Sequence, residues 1–234
     1  MTTRPVWTYA LMIAGALATP PVLAQPAGQT QTAEGLRNGR GAPTGRIGAA
    51  TRMGENTGQD LTLDLVAPLQ GTGLAASDGP ALFYLMSGTA RGRLRLTISQ
   101  PRQIRPLADL DLARTNGPGT LHRVSLRDHH IRLVPNQVYV WSVSVVLDPN
   151  SPSHDIVASA TIAYRPADPS YQRAMQLADV RQRPAVAKRA GYWYDAVAAA
   201  QDGAVHDGGT ALAELFREAQ LPPIQVVNAG GTKP

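Results

Sequence analysis

The sequence predicts a mainly β protein with an α tail: an antiparallel β-sandwich of about seven strands, immunoglobulin-like in organisation, followed by a small C-terminal helical region of two to three helices. Three observations predict it. Between Leu61 and Tyr164 apolar residues recur at every second position, the repeat of a strand with one dry face. Clusters of Gly, Pro, Asn and Asp divide that stretch into short runs with no helical period between them, which favours antiparallel pairing over a parallel α/β sheet. After Arg165-Pro166-Ala167-Asp168-Pro169 the repeat becomes that of a helix.

The strands follow in order. Leu61, Leu63 and Leu65 alternate with Thr62 and Asp64, and residues 82–86 form a short continuous apolar run. Leu94, Leu96 and Ile98 alternate with Arg93, Arg95 and Thr97, while 121–126 and 131–134 are shorter candidates. Residues 138–147 make the longest run, rich in β-branched side chains, and are expected to be a central strand; 156–164 supply the last. Turn chemistry separates them at Gly71-Thr72-Gly73, Asp78-Gly79-Pro80, Asn116-Gly117-Pro118-Gly119, Pro135-Asn136 and Asp148-Pro149-Asn150.

In the tail, Asp168 or Ser170 caps a helix running through Tyr171, Ala174, Met175 and Ala178 toward Gln182. Pro184 suits the first turn of a second helix, in which Val186, Ala190, Tyr194 and Val197 share a narrow arc at about 100° per residue, with Trp193 beside them. On that phase Tyr192 falls nearly opposite and is expected at an exposed, partner-facing position. Gly203 and Gly208-Gly209 break the chain. Thr210 then caps a third helix with the stripe Leu212, Leu215, Phe216 and Ala219, stopped by Pro222-Pro223. These helices are expected to dock on the sandwich.

The N-terminus reads as an export signal. Arg4 precedes an apolar run over 9–18, broken at Thr19-Pro20-Pro21, and Val22-Leu23-Ala24 offers a cleavage site before Gln25. A membrane span needs about 20 predominantly apolar residues, so residues 1–24 are expected to be a cleaved signal peptide, and the mature chain an exported one without a transmembrane span, periplasmic or extracellular. Residues 25–59 contain eight Gly and no aromatic residue and read as a flexible linker whose Arg37, Arg40, Arg46 and Arg52 belong to a solvated tether. Residues 60–166 are then the β domain, 167–224 the helical region and 225–234 a loose tail.

Composition narrows the chemistry. The 234 residues are 43% hydrophobic and 17% charged, which suits a folded domain and excludes a disordered chain. With 22 Gly and 19 Pro and no period, neither a collagen-like nor a coiled-coil body fits. Zero Cys excludes a disulfide scaffold, a thiolate metal site, a cysteine nucleophile and a lipidated N-terminus. The formal net charge of +5 needs no nucleic acid to explain it, and export argues against one.

Several pieces together carry a family resemblance. They are Leu65-Val66-Ala67-Pro68; Thr72-Gly73-Leu74 with Ser77 and Pro80; Phe83-Tyr84; Trp141; Asp148-Pro149 with Ser153 and Asp155; and Ala190-Gly191-Tyr192-Trp193-Tyr194-Asp195-Ala196. In order and spacing they resemble the bacterial domain of unknown function 928 family, over about residues 61–224. The strand at Leu82 is less aromatic than the family pattern, and the Arg-rich stretch from Arg91 is particular to this chain. The resemblance implies an exported bacterial protein with a β domain and a helical tail, and implies no activity.

His122, Asp128, His129 and His130 suggest a metal site, but neighbours on a strand point to opposite faces, so only His122, Asp128 and His130 could converge; a solvated turn explains them more simply. Asp148, Asn150 and Asp155 offer oxygen ligands without an EF-hand spacing. Asp109 and Asp111 share one face of a strand, as paired acids of a glycosidase would, yet read as a wet face. No Gly-x-Ser-x-Gly, His-Glu-x-x-His or phosphate loop occurs. Arg91, Arg93, Arg95, Arg102 and Arg105 are five cations with no intervening acid, and Arg91, Arg93 and Arg95 share an exposed face able to hold an anionic partner. The resulting expectation is a non-catalytic envelope binding module without a cofactor, with Arg91, Arg93, Arg95 and Tyr192 as its candidate interaction surface and an envelope protein or anionic glycan as partner. The alternative is an envelope-glycan hydrolase using scattered carboxylates, and a third reading is a structural partner of a membrane-bound complex.

Overall fold

Nine strands and four helices follow one another among the described residues, which are 46, 49–51, 61–88, 92–113, 120–147 and 155–224 of a computed structural model. The strands are β1 (Ala49–Thr51), β2 (Leu61–Leu65), β3 (Gly73–Ala75), β4 (Ala81–Ser87), β5 (Arg93–Ser99), β6 (Ala108–Leu112), β7 (Thr120–Ser125), β8 (Val138–Val146) and β9 (Ile156–Tyr164). The helices are α1 (Pro169–Leu177), α2 (Arg183–Arg189), α3 (Trp193–Asp207) and α4 (Thr210–Glu218). The protein is mainly β with a C-terminal helical region, as the change of sequence period predicts. The expected signal segment 1–24 lies outside the described residues, as do most of the expected linker and the tail from 225.

Two sheets form, in the orders β1-β2-β4-β7 and β3-β9-β8-β5-β6, so β8 is the middle strand of its sheet, as its β-branched run predicts. Pairing is antiparallel with one exception: β3 runs parallel to β9, Gly73 opposite Ile162 and Ala75 opposite Tyr164. This corrects the purely antiparallel expectation, because a three-residue strand is too short to display a period. Residues 131–134 are not a strand. They do alternate, with Ile131 and Leu133 buried and Arg132 and Val134 exposed, but their amides bond to turns and loops: Ile131 N–H to the Leu126 carbonyl and Leu133 N–H to that of Asp78. Alternation reports a half-buried extended chain, not a ladder.

Part of the expected linker is structured. Ala49–Thr51 pair with Leu61–Leu63, and the Arg46 guanidinium donates to the carbonyls of Leu65 (3.3 Å) and Ala219 (3.0 Å), tying β2 to the end of α4.

Side chains of both sheets meet in one core, where Leu63 and Leu65 of β2, Leu82 and Tyr84 of β4, Leu96 and Ile98 of β5 and Trp141 of β8 are all buried. A second core lies on the other side of β4. There Phe83 and Leu85 pack with Tyr192, Ala196 and Val197 near the start of α3 and with Leu212, Leu215 and Phe216 of α4. Burying each such side chain contributes roughly 1.5–3 kcal/mol, which makes the helices part of the body rather than an appendage.

The helices correct the predicted count of two to three. α1 is capped as expected, the Asp168 carboxylate accepting from Tyr171 N–H at 2.8 Å. The single helix expected from Pro184 onward is two, because Gly191 takes φ 83°, a left-handed conformation that ends α2 and resets the phase. Gly203 stays inside α3, which stops instead at Gly208 and Gly209, with φ of 65° and 79°. The cap of α4 comes from Asp207, whose carboxylate accepts from Gly209 N–H and Ala211 N–H, rather than from the Thr210 hydroxyl, which donates to the Asp207 carbonyl.

Candidate functional site

The reset at Gly191 delivers two residues to the β body. The Tyr194 hydroxyl accepts from Trp141 Nε1–H at 2.8 Å and donates to the Thr161 carbonyl at 3.1 Å, with the two rings edge to face at 6.3 Å. Room for that ring exists because residue 73 is Gly: a Cβ there would stand 2.6 Å from Tyr194 Cε2. The next residue, Asp195, accepts the Ala76 N–H at 2.8 Å, pinning the loop between β3 and β4. Burial pushes the Asp195 carboxyl up to about 6, a shift opposed by the bond from Ala76. Burial likewise pushes the Tyr194 phenol up.

Beside this clasp opens a groove of about 340 Å³, bordered by the loop before β4, the end of β7 and the first turns of α3. Its polar lining consists of Ser77, Arg123, Ser125, Arg127, Asp128 and Asp195. Arg123 is held in place by Asp202 (2.8 Å) and Gln201 (3.3 Å), with its guanidinium 5.8 Å from the Phe83 ring centre. Ser125 Oγ accepts from Asp128 N–H at 3.3 Å. Arg132 donates to both oxygens of Asp78 at 2.8 Å and so fixes the loop that borders the groove. Donors and acceptors are thus interleaved on rigid supports at one polar cavity. Four of its lining residues, Ser77, Pro80, Tyr194 and Asp195, are among those that carry the family resemblance, and the fold brings them together from opposite ends of the chain. A larger cavity of about 560 Å³ lies between α2 and α4, and on its lining Lys188 is closed onto Glu218.

The sequence-predicted residues fare differently. Arg91 lies outside the described residues. Arg93 is exposed and Arg95 half-buried on β5, and β6 brings carboxylates across: Arg93 lies 3.6 Å from Asp111, and Arg95 lies 3.4 Å from Asp109 and 3.9 Å from Asp111. The acid-free cationic face expected from the sequence is therefore a mixed-charge ladder, since the compensating acids sit on the neighbouring strand and not within the run. Such exposed pairs contribute about 0–1 kcal/mol. Tyr192 is not exposed. It is 5% accessible, its ring lies 4.6 Å from that of Tyr171, and its hydroxyl approaches the Pro166 carbonyl at 3.4 Å, because it precedes α3 instead of lying mid-helix.

His122 is buried and stacked on Tyr84 at 4.7 Å, and burial lowers its basicity, whereas Asp128, His129 and His130 are exposed in the turn after β7. No group of three or more His, Cys, Asp or Glu able to hold a metal occurs among the described residues. Asp148 and Asn150 lie outside them; Asp155 accepts from Leu147 N–H at 3.3 Å. No described helix is long and apolar enough to cross a membrane. The groove itself was missed, because Arg123, Arg127 and Asp128 form no motif. Its sequence signals are Ser77, Pro80, Tyr194 and Asp195, which the sequence presents only as parts of the family resemblance and not as one site.

Comparison with known proteins adds the family and little else. No curated protein matches the chain. One solved structure, an engineered protein from a structural genomics programme, aligns at 14% identity and a TM-score of 0.31, covering 44% of this chain and 20% of its own, a likeness too weak to inform the fold. A family match extends over residues 47–218, from just before β1 to the last residue of α4, taking in both sheets and the clasp. On that match the chain belongs to the family described as Domain of Unknown Function (DUF928).

Proposed function

We propose that the protein is an exported, periplasmic or extracellular bacterial binding module, that its two sheets form a β-sandwich, and that it recognises a glycan of the cell envelope in the Asp195 groove. The observation that carries this reading is the groove's lining: the acceptors Asp128 and Asp195 stand among the donors Arg123 and Arg127 and the hydroxyls of Ser77 and Ser125. Neighbouring sugar hydroxyls both donate and accept, so they match such a mixed surface, whereas a strongly anionic ligand would meet two carboxylates. The volume of about 340 Å³ suits the end of a chain or one or two rings, at the small end of the ~300–1,000 Å³ of small-ligand sites. The signal-like segment 1–24 supports export.

A second reading is favoured by one feature. Asp195, raised to about 6 by burial, lines the groove together with Asp128, and two carboxyl groups at one site are what glycoside hydrolysis requires. One experiment separates the two. The purified protein is incubated with soluble glycan fragments of bacterial cell wall, binding is followed by calorimetry and hydrolysis by new reducing ends. Binding weakened by Arg127→Gln, with no new reducing ends, supports the binding module. Reducing ends that vanish in both Asp195→Asn and Asp128→Asn support the hydrolase. Neither binding nor cleavage refutes both.

A further inference from the structure

One end of the five-stranded sheet combines exposed aliphatic side chains with exposed cations. The β5–β6 connection holds residues 102–107 exposed throughout; Ile104 is 101% accessible and Leu107 46%. Aliphatic side chains so placed are unfavourable in water unless something covers them. The loop is shaped rather than slack: Gln103 N–H bonds to the Gln100 carbonyl, Leu107 N–H bonds to that of Ile98 at 2.7 Å, and Arg102 adopts φ 70°. Pro101 and Pro106 restrict it further.

The loop's charge is all of one sign. Arg102 and Arg105 lie in it with no acid between Gln100 and Ala108, and neither has an ion-pair partner among the described residues, whereas Arg93 and Arg95 are matched by Asp109 and Asp111. The structure therefore divides the arginine run that the sequence presents as one feature into a neutralised half on the strand and a cationic half on the loop. A third exposed aliphatic residue, Val134, sits at the same end. Ser99 pairs with Val140, so the end of β5 lies beside the start of β8, and the segment leading into β8 exposes Val134 to 55%. That segment is also fixed, Val134 N–H bonding to the Tyr139 hydroxyl at 3.0 Å and Asn136 N–H to the Tyr164 carbonyl at 2.8 Å.

Exposed aliphatics on rigid turns, flanked by unmatched cations, are the chemistry of a surface that enters the interface of an anionic bilayer: the aliphatics leave water and the guanidinium groups meet phosphate. A purely polar polyanion would match the cations but leave Ile104 uncovered. We infer that this end of the five-stranded sheet rests on an anionic lipid surface, with Ile104 entering the headgroup layer and Arg102 and Arg105 meeting lipid phosphates. The inference is independent of the Asp195 groove, whose lining comes from other loops.

The test is co-sedimentation of the purified full chain with vesicles of phosphatidylglycerol and phosphatidylcholine, against vesicles of phosphatidylcholine alone. Binding is expected to the anionic vesicles and to fall with added salt. Arg102→Gln with Arg105→Gln should weaken it about thirtyfold, from ~1 kcal/mol per cation near a charged surface. Ile104→Ser should weaken it as well, and Arg93→Gln with Arg95→Gln should not. Ile104→Trp should shift its emission to the blue on anionic vesicles. The loop positions Arg102, Ile104 and Arg105 are exposed, so unchanged melting of their variants verifies the fold. Absence of vesicle binding, equal binding to neutral vesicles, or indifference to the loop variants overturns the inference. Adsorption to polyglutamate but not to vesicles overturns it in favour of an acidic protein.

Discussion

In β4 five successive residues, from Leu82 to Met86, are buried, whereas in β8 burial alternates, with Tyr139, Trp141, Val143 and Val145 buried and the residues between them only partly so. Both are interior strands, each with a neighbour on either side. The difference lies above and below the sheet. β4 has the shared core on one face and the helical layer on the other, while β8 has the core on one face and the half-buried Ser142 and Ser144 on the other, where only Val138, at the strand's start, joins the helical core. A continuous apolar run is thus the mark of a strand with two dry faces, and its length marks where the helices dock.

The largest test of that comparison is Phe83→Ala. Phe83 occupies the position that in β8 would be wet, yet it is fully buried against the helices. Chemical denaturation should show a loss of about 3–5 kcal/mol; a loss below ~1 kcal/mol would mean that the helices do not cover β4. Tyr192→Ala should lose about 2–4 kcal/mol, because the ring packs on Tyr171 beneath that layer. A melt indistinguishable from wild type would restore the exposed position that the helical phase suggested.

Asp195 sharpens the comparison through pH. Its folded-state value lies above the ordinary carboxylate range, at about 6. The folded state therefore holds the proton more firmly than the unfolded chain, and this group's favourable contribution is complete below about pH 4 and lost as pH rises through about 6. Asp195→Asn keeps an oxygen for Ala76 N–H and has nothing to ionise. Relative to Asp195→Asn, wild-type stability should fall by on the order of 2–3 kcal/mol between pH 4 and 7. Parallel profiles would show that the carboxyl is not desolvated at the helix–loop junction. The smallest effect belongs to the wet face: Ser144→Ala, on the outward side of β8, should change stability by less than ~0.5 kcal/mol. A larger loss would mean that something covers that face.

Much of the β body was legible because its signal is local. Leu61, Leu63 and Leu65, or Leu94, Leu96 and Ile98, declare their strands within five residues. The errors share a cause. β3 is too short to show a period, residues 131–134 show one without pairing, and Tyr192 was misplaced because a single left-handed Gly191 rotated everything after it. The candidate site was hardly legible. Arg123 and Asp128 come from β7 and its turn, Ser77 from the loop before β4 and Asp195 from α3.

By itself the sequence determined most of the longer extended and helical segments, and that thiol chemistry has no part, since each rests on residue type and spacing over a few positions. Only the tertiary structure decided that β4 is covered on both faces, that Asp109 and Asp111 neutralise Arg93 and Arg95 but leave Arg102 and Arg105 unmatched, and that Asp195 meets the loop at Ala76. The physical reason is the same in each case. Burial, ion pairing and pKa depend on what lies within a few ångströms in space, and such neighbours can be far apart along the chain, as Ala76 and Asp195 are at 119 positions.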